Sequence, residues 1–329
     1  MDRRAEFVAA TEGYRRELVS HCYRLLGSVH DAEDQVQETY LRAWRAYDAF
    51  DERKASMRTW LHRIATNTCL TALESRGRRA MPSGLGGPAE DPVAVPLDGR
   101  PELPWLQPIP DALLPDDPAA VVTARSTVRL AFVAALQHLP ARQRVVLILR
   151  DVLAWQAGEV AEFLSTSTAA VNSALQRARA QLARLAPAED DLTEPDAPDY
   201  RRFLHRYVTA FERADVSALV STLRDDVVLE MPPVPVWFAG REQVAAFLPR
   251  IFGVGPRRTV LTRANLRPAV ATYTERDGLW HAHAIHVPTI TSTGVSAMTV
   301  FVDPTLFPMF GLPATTEPEP RALADARVV

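Results

Sequence analysis

The sequence predicts a multidomain chain: two all-α domains, the second closing on a helix-turn-helix, followed by an α+β domain. Three observations carry this. Apolar residues recur at helical spacing through roughly the first 185 residues and alternate at strand spacing later. Ten prolines fall between Met81 and Pro118, which precludes a helix or a sheet core there. Ser167–Leu185 has helical character with no acidic residue, proline or glycine, and its only charges are Arg177, Arg179 and Arg184.

At 329 residues the chain is too long for one compact domain. Its net charge of −3 excludes a uniformly basic nucleic-acid binder, so any such surface must be local. Two cysteines, Cys22 and Cys69, offer neither a disulfide framework nor zinc spacing and fit a reducing compartment. The opening Met-Asp-Arg-Arg-Ala-Glu lacks the apolar core of a signal peptide. No apolar run approaches the ~20 residues of a membrane span. A cytoplasmic protein with no membrane partner is expected.

Residues 5–79 read as helices. Asp31 is the expected N-cap of Ala32–Tyr47, with Val36, Tyr40, Ala43, Trp44 and Tyr47 at helical spacing. After a polar break over Asp48–Ala55, Met57–Arg76 carries an apolar stripe of Trp60, Leu61, Ile64 and Ala65, and Gly77 ends it. The proline-rich stretch reads as an extended linker. Trp105, Leu106, Ile109, Leu113 and Leu114 are too apolar for a pure spacer, so part of it is expected to dock on a surface. Residues 119–186 are helical again. Val128, Leu130, Phe132, Val133, Leu136 and Leu139 share one face, and Ala141–Leu153 follows Pro140. Gln156–Phe163 and Ser167–Leu185 then form the helix-turn-helix across Leu164-Ser165-Thr166, the arrangement that enters a DNA major groove. In its second helix Ser167 is the N-cap, and Val171, Leu175, Ala178 and Leu182 face inward.

Beyond an acidic break over Pro187–Pro198 the period changes. Tyr200–Glu212 and Val216–Leu223 read as helices. Val227–Met231, Thr259–Leu266, Ala269–Thr274, Leu279–Val287 and Ser296–Val302 read as strands, with Arg241–Phe252 a helix between them. A mostly antiparallel sheet is expected, followed by a disordered tail from Ala314.

Three segments resemble extracytoplasmic-function (ECF) sigma factors, in that family's order. Asp31-Ala-Glu-Asp-Gln-Val-Gln-Glu-Thr-Tyr-Leu-Arg-Ala-Trp44 resembles their polymerase-binding helix. Met57-Arg-Thr-Trp-Leu-His-Arg-Ile-Ala-Thr-Asn67 resembles their minus-ten reader. Leu139-Pro-Ala-Arg-Gln-Arg-Val-Val-Leu147 with the Ser167–Arg179 helix resembles their minus-thirty-five reader. The last third resembles the SnoaL-like cone, and the whole resembles the ECF subgroup carrying that domain. The resemblance implies two all-α sigma domains, the second with the helix-turn-helix, followed by an α+β SnoaL-like cone domain. It places sigma region 2 at 1–80, the linker at 81–120, sigma region 4 at 121–187, the cone at 198–313 and the tail at 314–329.

The resemblance implies a sigma factor that binds core RNA polymerase and promoter DNA, initiates transcription and is regulated by the fused cone. Asp34, Gln37, Glu38 and Arg42 would meet the clamp helices of the largest polymerase subunit. From spacing alone, a solvated face is the simpler reading of those four. Ser56, Arg58, Thr59, Arg63 and Asn67 would meet the minus-ten element, with the loop Tyr47–Ser56 capturing a flipped base. Trp60 is expected in the core. Thr168, Ala169, Asn172, Ser173, Gln176, Arg177 and Arg179 would meet the minus-thirty-five element. The chain departs from the family at Gln156, in place of a capping serine, and at Gly158, each weakening that helix by up to ~1 kcal/mol. It departs again at Asn172 and Ala174, where basic residues are common in the family.

In the cone, His281 and His283 are expected on one side of a strand and His286 on the other, unless a bulge intervenes. Asp225, Asp226, Glu230, Tyr273 and Trp280 are further pocket candidates. No catalytic residue, metal site or cofactor is assigned, and a small-molecule ligand is a candidate occupant of the cone. Two rival readings stand beside this one. One is a SnoaL-like isomerase or hydrolase with a DNA-binding leader. The other is a helix-turn-helix transcription factor that acts without polymerase.

Overall fold

The computed structural model describes residues 3–75, 77–116, 126–185, 193 and 198–317. The chain divides into two compact units. One comprises Met1–Met81 and Pro101–Ala188; the other comprises Pro82–Arg100 and Glu189–Val329.

The first unit is helical. Its first part contains α1 (Arg3–Thr11), α2 (Arg15–Leu26), α3 (Val29–Ala46) and α4 (Met57–Ser75). Helix α2 ends at Gly27, whose φ of +68° closes the turn; a Cβ there would stand 2.8 Å from both Leu106 Cδ1 and Gln137 Nε2. The cap of α3 differs from expectation. Ser28 caps it, accepting from the Asp31 amide at 3.1 Å, and the helix starts at Val29. Asp31 lies in the first turn and pairs with Arg79. Both residue types cap well; a partner far along the chain selects between them.

The second part contains α5 (Leu130–Leu136), α6 (Ala141–Leu147), α7 (Ala157–Phe163) and α8 (Thr168–Leu185). Helix α6 is shorter than expected, because the backbone widens into a π-turn over Ile148–Val152. Leu164 to Ser167 connect α7 to α8, and Ser167 Oγ accepts from the Ala170 amide at 3.1 Å, as its N-cap reading requires. A capping box stands at α7 where the family usually has a capping serine: the Glu159 carboxylate accepts from the Gln156 amide at 2.7 Å. Val171, Leu175, Ala178 and Leu182 are buried, as their spacing predicts.

The proline-rich stretch is not a free spacer. Trp105, Leu106, Ile109 and Leu114 are buried in the helical unit. Gln107 binds there too: its carbonyl accepts from Tyr23 Oη at 2.8 Å, and its side-chain oxygen accepts from Ser28 Oγ at 2.6 Å. Residues 82–100 belong to the other unit. Ala89 donates to the Trp237 carbonyl at 2.9 Å, Trp237 Nε1 donates to the Gly86 carbonyl at 2.9 Å, and Arg100 donates to the Pro233 carbonyl at 2.8 Å.

That second unit is an α+β fold. Helices α9 (Pro198–Glu212), α10 (Val216–Val220) and α11 (Arg241–Phe252) accompany one sheet. Its strands are β1 (Leu223–Glu230), β2 (Trp237–Ala239), β3 (Arg257–Ala264), β4 (Arg267–Arg276), β5 (Leu279–Thr291), β6 (Gly294–Phe301) and β7 (Thr315–Thr316). The order is β2-β1-β6-β5-β4-β3, with β7 on β5. Only β1 with β6 is parallel. Gly294, at φ +140°, lies where a Cβ would stand 2.9 Å from the Thr222 carbonyl. The expected disorder from Ala314 is corrected at its start: Thr315 and Thr316 pair with His281 and Trp280. The rest of that tail, from residue 318, lies outside the described residues. No helix among them is long and apolar enough to cross a membrane.

Candidate functional site

On α3, Asp34, Gln37 and Arg42 are exposed and Glu38 is half-exposed. Arg42 Nε donates to Glu38 Oε1 at 2.6 Å, one turn away. The inner side of the same helix holds Val36 and Ala43. Next to the polar residues, Gln37, Tyr40, Leu41 and Trp44 line a shallow groove with Val8 of α1. Leu41 is 52% exposed, which gives this face an apolar as well as a charged component.

On α4, Ser56 works as the cap: its hydroxyl accepts from the Thr59 amide at 3.2 Å. Asn67 is exposed and Thr59 half-exposed. The two arginines are occupied. Arg58 Nε donates to Glu17 at 2.7 Å. Arg63 lies 4.0 Å from the Glu162 carboxylate, with its guanidinium 5.9 Å from the Trp155 ring. Trp60 is half-buried rather than a core residue, because its ring leans on Phe50 at 4.8 Å, at the edge of the preceding loop.

On α8, Thr168, Ala169, Asn172, Gln176, Arg177 and Arg179 are exposed and Ser173 is half-exposed. Arg177 donates to Ser173 Oγ at 2.5 Å and remains exposed. Arg179 is held by Asp151 through two bonds of 2.9 and 2.6 Å.

Sequence reasoning missed Arg144. Its side chain is buried, donating to the Leu25 carbonyl, to Gln137 Oε1 at 2.8 Å and to the Gln137 and Leu139 carbonyls at 3.2 and 3.3 Å. It thus ties α6 to the end of α2. Burial pulls its guanidinium down to about 10. The available signal was its position one turn before the buried Ile148.

The C-terminal unit encloses a cavity of about 250 Å³. Its walls are mainly apolar, and among the described residues no Asp or Glu lines it. The pocket candidates Asp225, Asp226, Glu230, Tyr273 and Trp280 are therefore corrected. Asp225 pairs with Arg241 at 2.9 Å, Asp226 with Arg224 at 2.8 Å, and Glu230 accepts from the Ser83 amide at 2.8 Å. Tyr273 Oη donates to the Pro313 carbonyl at 3.1 Å, and Trp280 pairs with Thr316 at the sheet edge.

The histidine pattern is corrected as well. The β4–β5 register slips between Thr272 and Tyr273, so Ala284 and Ala282 are consecutive partners and His283 is the bulged residue. His283 and His286 consequently both line the cavity. His286 Nδ1 lies 2.7 Å from Tyr207 Oη, and its Nε2 lies 3.4 Å from Thr272 Oγ1. Thr272 gives its hydroxyl proton to the Ala284 carbonyl at 3.2 Å, so it accepts from Nε2–H and Nδ1 accepts from Tyr207. Burial drives His286 down to about 3, with His283 and Arg257 adding to it, and burial raises Tyr207. The pair is a neutral packed unit at neutral pH. No three ligating side chains gather into a metal site among the described residues.

The Sigma-70 region 2 family matches residues 11–79, the Sigma-70 region 4 family residues 129–182, and the SnoaL-like domain family residues 204–302. The ECF RNA polymerase sigma factor SigG of Mycobacterium tuberculosis is 50% identical over 317 residues, spanning 95% of this chain and 85% of that protein. SigJ of the same organism is 35% identical over 222 residues, spanning 67% of this chain and 63% of that protein. The crystal structure of M. tuberculosis SigJ superposes with a TM-score of 0.61 at 26% identity, covering 93% of this chain and all of the other. With two sigma regions in order and half of its residues shared with SigG, the chain belongs to the ECF RNA polymerase sigma factors.

Proposed function

We propose that this sigma factor directs core RNA polymerase to its promoters through three exposed helix faces, and that its SnoaL-like domain regulates the process. The carrying observation is that α3 and α8 each bury one apolar side and leave outward most of the polar residues that would meet a partner, while α4 exposes Asn67 and Arg58 but keeps Arg63 half-buried. Asp34, Gln37, Glu38 and Arg42, with the groove beside them, would bind core polymerase. Ser56, Arg58, Thr59, Arg63 and Asn67 would meet the minus-ten element. Thr168, Ala169, Asn172, Ser173, Gln176, Arg177 and Arg179 would meet the minus-thirty-five element. Arg63 must leave Glu162 and Trp155 to reach DNA, and Arg58 must leave Glu17.

Such a protein works in the cytoplasm, beside polymerase and chromosome. The SnoaL-like domain is read as non-catalytic. No carboxylate among the described residues lines its cavity, and His286 there is neutral and bonded to Tyr207, so the described residues offer no acid–base pair of the aspartate–histidine kind.

Run-off transcription with core polymerase and the full chain tests the promoter reading, with Asp34→Arg/Glu38→Arg expected to lose core binding while keeping its helicity. Core binding undiminished by that double reversal would remove α3 from the interface. A chain ending at Leu185 tests regulation: transcription equal to that of the full chain would rule it out.

A further inference from the structure

The cavity of the C-terminal unit holds a charge with no counterpart. Arg257, at the start of β3, lines it and is only 8% exposed. Its guanidinium donates to the Gly255 carbonyl at 3.1 Å and to the Ile251 carbonyl, both on the loop and helix just before it. Its Nε has no hydrogen-bond partner, and no carboxylate among the described residues pairs with it. Phe211 and Phe252 stand 5.7 and 5.3 Å from the guanidinium carbon, which shields it from water without neutralising it. Burial accordingly lowers its affinity for its own proton. An isolated buried cation is costly unless something anionic completes it.

The surroundings narrow what that is. His283, half-buried on the bulge, lines the same cavity, and its side chain makes no hydrogen bond to the described residues. The remaining wall is mainly apolar, built from Leu229, Met231, Phe247, Leu248 and Met298 among others; the second cation lining it, Arg250, is turned to backbone carbonyls of the strap. The 250 Å³ volume compares with the about 150 Å³ that accommodates benzene, which scales to roughly ten non-hydrogen atoms. One wall comes from the proline-rich strap: Leu97 lines the cavity, and Arg250 Nη1 holds the strap by its Pro92 and Val95 carbonyls at 3.1 and 2.8 Å.

We propose that this cavity binds a small monoanionic amphiphile, such as an eight-carbon carboxylate. Its head group sits on Arg257 with His283 beside it, and its tail lies against the Phe247–Met298 wall under the strap. A carboxylate supplies the missing acceptor for Nε and an opposite charge, while a short chain fills the apolar remainder. The claim deepens the regulatory reading of this domain by naming its ligand class, but it stands on binding alone. A transcription assay that showed no regulation would leave it intact.

The test is calorimetric titration of the full chain with octanoate, 1-octanol and octylamine, which share a tail and differ in head group. Octanoate is expected to bind at least tenfold more tightly than octanol, with octylamine weakest. Arg257→Leu should bring octanoate down to the level of octanol, and Arg257→Lys should retain part of the preference. Hydrogen exchange with octanoate bound should slow in the strap around Leu97 and in β5. Equal affinities for the three compounds in the wild-type chain would overturn the proposal, whether or not Arg257→Leu folds. Protection confined to regions outside the cavity would overturn it too, by assigning the binding to the surface.

Discussion

The helical unit and the C-terminal unit carry their candidate sites in opposite ways. In the helical unit the residues offered to partners stand outside the packing. Asn172, Gln176 and Arg177 are exposed on α8, while Val171, Leu175, Ala178 and Leu182 make its buried side. In the C-terminal unit the site lies within the packing. Phe247, Leu248 and Met298 belong to the hydrophobic core and also line the cavity. A helix, with its 3.6-residue turn, separates function and stability onto two faces. A curved sheet closed by helices combines them, since its cavity is an unfilled part of the core.

Four substitutions test how far that contrast holds. The largest effect is expected at Leu175, buried under the candidate DNA face. Leu175→Ala should cost about 2–5 kcal/mol in thermal or denaturant unfolding. A loss below about 1 kcal/mol would mean that α8 is not anchored by its inner face.

The second prediction concerns His286, where site and core coincide. Its folded-state pKa of about 3 lies below the ordinary 6.5. The unfolded chain therefore takes a proton that the folded chain refuses. This contribution to stability is complete above pH 6.5 and is lost as pH falls, by about 1.4 kcal/mol per pH unit, or about 2 kcal/mol by pH 5. His21, buried in the helical unit, is depressed in the same direction, so the wild-type slope contains more than one proton. His286→Gln should remove one proton's share of the slope in urea unfolding between pH 7 and pH 5. An unchanged slope would show that His286 is not among the titrating groups.

Smaller effects are expected at Arg177 and Arg179, outside the packing. Arg177→Ala should leave the unfolding transition in place. Promoter affinity should fall by about 1 kcal/mol, and the dependence on log salt should shallow by about one unit. Arg179→Ala should do less, because Asp151 already holds that guanidinium. A drop in melting temperature for Arg177→Ala would blur the separation of faces that α8 exemplifies.

The two units also differ in how much of them the sequence discloses. The inner stripe of α8, the Ser167 cap and the span Arg241–Phe252 were legible because each rests on neighbours within a few residues. The polar faces of α3 and α8 follow from the same periodicity, as the sides left over. The cap of α3 was misread by three positions, since Ser28 and Asp31 are equally good local candidates and Arg79 claims the aspartate. The cavity was hardly legible at all. Its lining runs from Leu97 to Val302, with no repeat in sequence. A single bulge at His283 reversed the expected side of one histidine, and every acidic pocket candidate found another partner elsewhere.

Most helices and strands, the inner stripe of α8 and the break of texture at the prolines can be read from the sequence alone, while the short strands β2 and β7 escape it. The legible elements depend on backbone propensity and short-range spacing, which a linear chain displays directly. Only the tertiary structure decided where the prolines dock and which charges go inside. Arg144 is buried because carbonyls at Leu25, Gln137 and Leu139 converge on it. Arg257 is buried because Phe211 and Phe252 close around it. Each of these charges tolerates burial through neighbours just before it together with a group from far along the chain, Leu25 or Phe211, and no local pattern announces where that distant group will meet it.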